Sequence, residues 1–339
     1  MSEMKIWGLM IMSETVVAEK YYMAALGNVS GIGNKSIEKL LNFLGSAKVL
    51  WTTAADELIQ AGIIRPKSLE GLVAFRNRYS DAPDRIFRYC ERHGFNLCSI
   101  FDEDYPPLLK EIDSPPMFFY YRGKLQPSAQ RIGIVGSRDN SPHGRTTALE
   151  LGEQIAAAGF TVVSGAARGI DTFAHRGALK TGRTVAVLGC GIEVAFNGEN
   201  KKFFEEIAES GIVLSEFYPT LLPQKWTLVR RNRIIAGLSR GVIVVEADLN
   251  SGTLITSDYA FYYGRDIFAV TGSLKVPPKD INKSNVANLK NNYNSDSLHK
   301  YNLLPECYAR ISAGCDKLIR NGAIPIESAR DVLSKYRVG

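Results

Sequence analysis

The chain has 339 residues, of which 45% are hydrophobic and 22% charged. That balance supports a packed core spread over two or three domains and excludes a largely disordered chain. The formal net charge is +6, far from a histone-like tail; it permits a polyanion partner only where the charge gathers in one groove. Five cysteines (Cys90, Cys98, Cys190, Cys307, Cys315) include no CxxC pair. Neither a disulfide framework nor a zinc ribbon is therefore expected, and the thiols read as reduced. The apolar run Ile6–Met12 is too short to span a membrane and lacks a small-residue cleavage site, so a cytoplasmic protein is expected.

Residues 1–95 read as a helical domain of helix-hairpin-helix (SAM-like) type, with apolar residues at helical spacing in Ile37, Leu40, Leu41 and Leu44. Within it, Val29-Ser30-Gly31-Ile32-Gly33-Asn34-Lys35-Ser36 resembles a helix-hairpin-helix turn. In such a turn, two glycines free backbone N–H groups for a phosphate. The same residues also read as an ordinary glycine-rich helix start. Residues 96–128 form a connector in which Asp104-Tyr105-Pro106-Pro107 and Asp113-Ser114-Pro115-Pro116 enforce an extended strap. From 129 to 275, runs such as Ile132–Val135, Thr161–Ser164, Thr184–Leu188, Ile212–Leu214, Val242–Val245 and Ile267–Val270 alternate with helices. This pattern predicts a doubly wound, Rossmann-like α/β domain around a parallel sheet, with binding loops at the carboxyl ends of its strands. Residues 276–310 are polar and asparagine-rich and read as a flexible insertion. Residues 311–339 return to a helical pattern that closes the domain.

The strand ends carry the candidate chemistry. Gly136-Ser137-Arg138 offers a sharp turn, a hydroxyl and a guanidinium fork. Ser164-Gly165, Arg168 and Gly169 follow the next strand, and Gly189-Cys190-Gly191 the one after. Arg230-Arg231-Asn232-Arg233 reads as a loop ahead of an apolar helix, and Ser251-Gly252-Thr253 as a hydroxyl-rich helix start. Such loops, carrying several arginines, point to an anion site. Phe196 followed by Lys201 and Lys202 reads as a stacking ring beside phosphate contacts. Cys190 and His175 read as structural, and Asp171 and Asn232 either cap helices or line the site. Gly189-x-Gly191 lacks a third glycine, the second strand lacks a terminal acid, and no GxxxxGK[ST] or G-x-S-x-G is present. NAD, P-loop ATPase chemistry and a serine-hydrolase elbow are not expected, nor is a metal or other cofactor.

Taken in order, GSR at Gly136–Arg138, SGAARGID with AH at Ser164–His175, SEF-P at Ser215–Pro219, RRNRIIAGLS at Arg230–Ser239, VVEADLNSGTLIT at Val244–Thr256 and FAVTG at Phe268–Gly272 resemble the DNA-processing protein A (DprA/Smf) family. Upstream Tyr105–Leu109 and downstream Gly314–Ala323 extend the likeness. The resemblance implies a non-enzymatic protein that binds single-stranded DNA during natural transformation, protects it, helps load the RecA recombinase and dimerises through the Rossmann-like domain. The sequence departs from the family pattern where Phe196-Asn197 replaces a tyrosine-proline pair, where Thr271 replaces a proline, and where Lys275–Ile311 lengthens a short connection. No winged-helix contribution is expected. Two other readings use the same loops: a nucleotide phosphoribohydrolase, with Ser251-Gly252-Thr253 and Glu246 as partial echoes, and a nucleotide-sensing module.

Overall fold

The computed structural model describes residues 19–60, 62, 64–271 and 305–336. Ile6–Met12 and residues 276–304 of the expected insertion lie outside them. The first third is built from short helices with strong local stop signals. After α1 (residues 19–26), α2 (Asn34–Leu44) ends at Gly45, whose left-handed φ of 76° lets its N–H reach Leu41 O. Ser46 then caps α3 (Ala47–Thr52) by accepting from Val49 N. The remaining helices are α4 (Ala55–Gln60), α5 (Pro66–Arg78) and α6 (Ala82–His93). Their apolar faces, including Ile37, Leu40, Leu50 and Leu72, share one buried core with Phe196, Phe204 and Ile207 from the α/β region.

The connector is more than an extended strap. It forms β1 (Asn96–Ser99), α7 (Pro107–Lys110) and β2 (Phe118–Gly123), with β1 antiparallel to β2 and β2 antiparallel to β6 (Ile212–Ser215). The prolines bracket these elements instead of interrupting them. Pro107 occupies the first turn of α7, where a missing N–H costs nothing, and β2 starts only after Pro116.

The expected α/β alternation follows as β3 (Arg131–Val135), α8 (Pro142–Ala157), β4 (Thr161–Ser164), α9 (Ile170–Thr181), β5 (Thr184–Val187), α10 (Ile192–Asn197), α11 (Lys201–Ser210) and β6. It continues through α12 (Lys225–Leu238), β7 (Gly241–Val244), α13 (Gly252–Tyr262) and β8 (Asp266–Val270). The sheet order is β1-β2-β6-β5-β4-β3-β7-β8-β9, parallel from β6 onward. The closing helix expected from residue 311 begins at Pro305 (α14, Pro305–Arg320). It leads to β9 (Ile324–Ile326) beside β8 and then to α15 (Ala329–Tyr336). Strands β3 to β7 are buried along their whole length, as expected of a sheet covered on both faces. The result is a Rossmann-like mixed sheet whose order reverses between β3 and β7.

Candidate nucleic-acid interface

A cleft of about 780 Å³ opens at the carboxyl ends of β3 and β7, where the strand order reverses. One wall is the turn after β3. A Cβ on Gly136 would lie 2.6 Å from the Ile170 side chain, so glycine lets this turn rest on the first turn of α9. Ser137 N donates to Glu246 O at 2.8 Å, and its hydroxyl donates to Asp139 O at 2.9 Å. The next residue, Arg138, is exposed, lines the cleft and makes no ion pair among the described residues. The opposite wall is the start of α13. There Ser251 accepts from Thr253 N at 3.0 Å, and Gly252 and Thr253 face the cleft at the positive end of the helix dipole.

Helix α12 is the floor. It starts at a reciprocal cap between Gln224 and Thr227 and presents Lys225, Leu228, Arg231 and Asn232 to the cleft. Arg231 is 4% exposed. Its Nη1 donates to Val187 O at 2.7 Å and its Nη2 lies 3.9 Å from Asp171, while its Nε has no hydrogen-bond partner among the described residues. Burial lowers the guanidinium pKa, an effect opposed by Asp171, and burial raises Asp171. The guanidinium lies over Gly165, where a Cβ would come within 1.5 Å of Nη1. Beside it, Ala166 takes a left-handed φ of 53°, a conformation that costs a non-glycine residue on the order of 1–2 kcal/mol. Asn232 Nδ2 donates to Gly252 O at 3.2 Å and ties α12 to α13.

The structure therefore brings together Gly136, Ser137, Arg138, Arg231, Asn232, Ser251, Gly252 and Thr253, and the other expected site residues fall elsewhere. Ser164 is fully buried, its hydroxyl donating to Ile134 O at 2.6 Å. Gly165 lies beneath Arg231. Gly169 (φ 97°) approaches the Ser137 and Arg138 carbonyls too closely to bear a side chain. Arg168 is exposed and pairs with Asp139 at 2.8 Å. Gly189 and Gly191 are close-packing glycines: a Cβ would meet Leu228 at 2.7 Å and Pro219 O at 2.1 Å, and Gly191 N already donates to Leu221 O.

Three further corrections concern side chains. Phe196 is 4% exposed in α10, beside Phe95 and Phe204 and under the Arg122 guanidinium at 4.8 Å. Its ring is core and is not free to stack on a base. Lys201 and Lys202 are exposed on α11, outside the cleft lining, and Lys201 pairs with Glu205 at 3.7 Å. Arg233, like Arg231, sits within α12 and not in a loop. It points to the other side of that helix, against Glu216. Lys225, Gln224, Asp248 and Asn250 line the cleft without having been singled out; the cap of α12 was the available signal.

Cys190 is half-buried and His175 fully buried. Burial pushes the Cys190 thiol up to about 11, and pushes His175, which shares a 2.6 Å hydrogen bond with Thr184, down to about 3. Glu246, the carboxylate that a phosphoribohydrolase would need over its substrate, is fully buried. It accepts from Ser141 N at 2.9 Å and from the Ser141 hydroxyl at 2.5 Å at the start of α8, so it fills that helix's own anion position.

The family model described as DNA recombination-mediator protein A matches residues 96–298. The chain belongs to this family. Protein Smf of Synechocystis is 36% identical over 76% of the chain and 65% of its own length, so the chain spans just under two thirds of that relative. DNA processing protein DprA of Streptococcus pneumoniae is 34% identical over 91% of the chain and 95% of its own length. Its X-ray structure superposes with a TM-score of 0.72, covering 94% of this chain and 99% of that one. DNA processing protein A of Helicobacter pylori, a structure described for its single-stranded DNA binding mode, shares the fold at a TM-score of 0.55 and 23% identity, over 71% of this chain and 95% of that one. This member of the DNA recombination-mediator protein A family thus has DNA-processing proteins as relatives. Among its described residues, no helix is long and apolar enough to cross a membrane.

Proposed function

We propose that the cleft holds single-stranded DNA by its phosphates, without reading sequence. The observation that carries this reading is the cation set of the cleft. Arg138, Lys225 and Arg231 line it together with Asp139, Asp171 and Asp248; Asp171 and Asp139 are engaged by Arg231 and Arg168, while Arg138 and Lys225 form no ion pair among the described residues. Two free cations facing a helix N-terminus suit a polyanion backbone, and phosphate contacts position a strand without specifying bases. The stacking role expected of Phe196 has no counterpart among the described residues that line the cleft, so the proposal rests on phosphate contacts alone. The description of the Helicobacter relative as a single-stranded DNA binder supports the reading.

The finer role completes the proposal. The protein protects incoming single-stranded DNA in natural transformation and loads the RecA recombinase while acting as a homodimer; it is cytoplasmic and not an enzyme. The test is a titration with single-stranded and duplex oligonucleotides of equal length and varied sequence. Single strands should bind more tightly, with little dependence on sequence. Equal affinity for duplex would overturn the reading.

A further inference from the structure

A second recess, of about 430 Å³, lies on the opposite side of α12 from the cleft. Three elements that are remote in sequence meet there: the hairpin at Gly33–Lys35, Arg230 and Arg233 of α12, and Tyr259, Tyr262 and Tyr263 around the end of α13. Arg233 is 5% exposed and pairs with the buried Glu216, which also accepts from Arg230 Nε at 3.2 Å and Asn34 Nδ2 at 2.7 Å. Even so, Nη1 of Arg233 is buried and has no hydrogen-bond partner among the described residues. A buried N–H of a charged group without an acceptor is unfavourable, so an acceptor arriving in the recess removes a standing penalty. The charges do not cancel: Lys35, Arg230 and Arg233 stand against Glu216 and Asp113, three cations to two anions. Beside them Tyr262 is 70% exposed, and Tyr259 and Tyr263 are stacked with their ring planes 20° apart.

We propose that this recess is a second nucleotide site. It takes a phosphate oxygen on Arg233 Nη1, with Arg230 and Lys35 alongside, and a base against Tyr262. Aromatic rings next to cations are the combination that holds an unstacked nucleotide whatever its base. One helix, about 10–12 Å across, separates the recess from the cleft, so a strand leaving the cleft meets it within a short span. This use rests on the single-stranded DNA reading above; a free nucleoside monophosphate offers the same chemistry.

The test uses the full chain and labelled oligothymidylates of increasing length, with Tyr262→Ala, Arg230→Ala and Arg138→Ala compared with the parent, and thymidine 5′-monophosphate measured separately by equilibrium dialysis. Both Tyr262 and Arg230 reach solvent, so the folded state should survive their loss. Tyr262→Ala and Arg230→Ala should each weaken long oligomers about tenfold and leave the shortest ones unaffected. Unchanged long-oligomer affinity in both, with Arg138→Ala still weakened, overturns the second site and leaves the cleft standing. Loss in Tyr262→Ala with no effect of Arg138→Ala supports the second site and sinks the cleft. If no oligomer binds, monophosphate binding that disappears in Tyr262→Ala supports the site as one for free nucleotide. Absence of binding to both ligands overturns it.

Discussion

The turns after β3 and β7 and the turns after β4 and β5 share one composition and do opposite work. After β3 and β7, Arg138 and Gly252–Thr253 are left facing a cleft. After β4 and β5, Gly165, Gly189 and Gly191 are covered by Arg231, Leu228 and the Pro219 carbonyl. In the first pair Gly252 stands open and Gly136 lets its turn rest on α9; in the second the glycines make room for α12 and the chain after β6. The difference comes from position in the sheet. The order reverses between β3 and β7, so their connections part and leave a crevice, while Arg231 and Leu228 of α12 lie over the turns that follow β4 and β5.

The comparison breaks most visibly at Phe196. As part of the closed region, Phe196→Ala should lose on the order of 3–5 kcal/mol of folding stability, read by denaturant unfolding, and the protein still folded should bind DNA as the parent does. A stable variant with weakened binding would move the ring back into the site. Next in size is Gly191→Ala. A methyl 2.1 Å from Pro219 O forces the backbone apart, and overpacking of this kind costs about 1–3 kcal/mol. Gly252→Ala sharpens the contrast, because nothing lies within 4 Å of its Cβ position; its melt should stay within about 0.5 kcal/mol of the parent.

The α/β core was legible because its strands are runs of β-branched residues between helices. The missed strands carry no such run. Asn96–Ser99 is four residues long and starts polar, and Phe118–Gly123 stands directly behind two prolines, which read as a strap. Within the site, the open turns at Gly136–Arg138 and Ser251–Thr253 were legible as glycine and hydroxyl patterns. Open and packed glycines look alike in sequence, because only the tertiary neighbour distinguishes them. The misplaced side chains had a readable cause. Ile192, Ala195 and Phe196 share a helix face once α10 is seen to start at Gly191, so Phe196 follows its neighbours inward. A helix turns about 100° per residue, so Arg231 and Arg233 cannot both face one groove. Read as a loop, the run hid that division.

The smallest expected effect is that of Lys201→Ala, whose charge lies on α11 beside Glu205; affinity and its salt dependence should both stay at the parent's values. Against that control stands Arg138→Ala with Lys225→Ala, measured as log K against log salt for a single-stranded oligomer. Each phosphate contact adds about −0.7 to that slope, so the double variant should be shallower by about 1.4 and, at moderate salt, weaker by about 1.5–3 kcal/mol for each lost charge-assisted contact, with no change in melting temperature. A folded double variant whose slope and affinity match those of the parent would contradict a phosphate-binding cleft at β3 and β7.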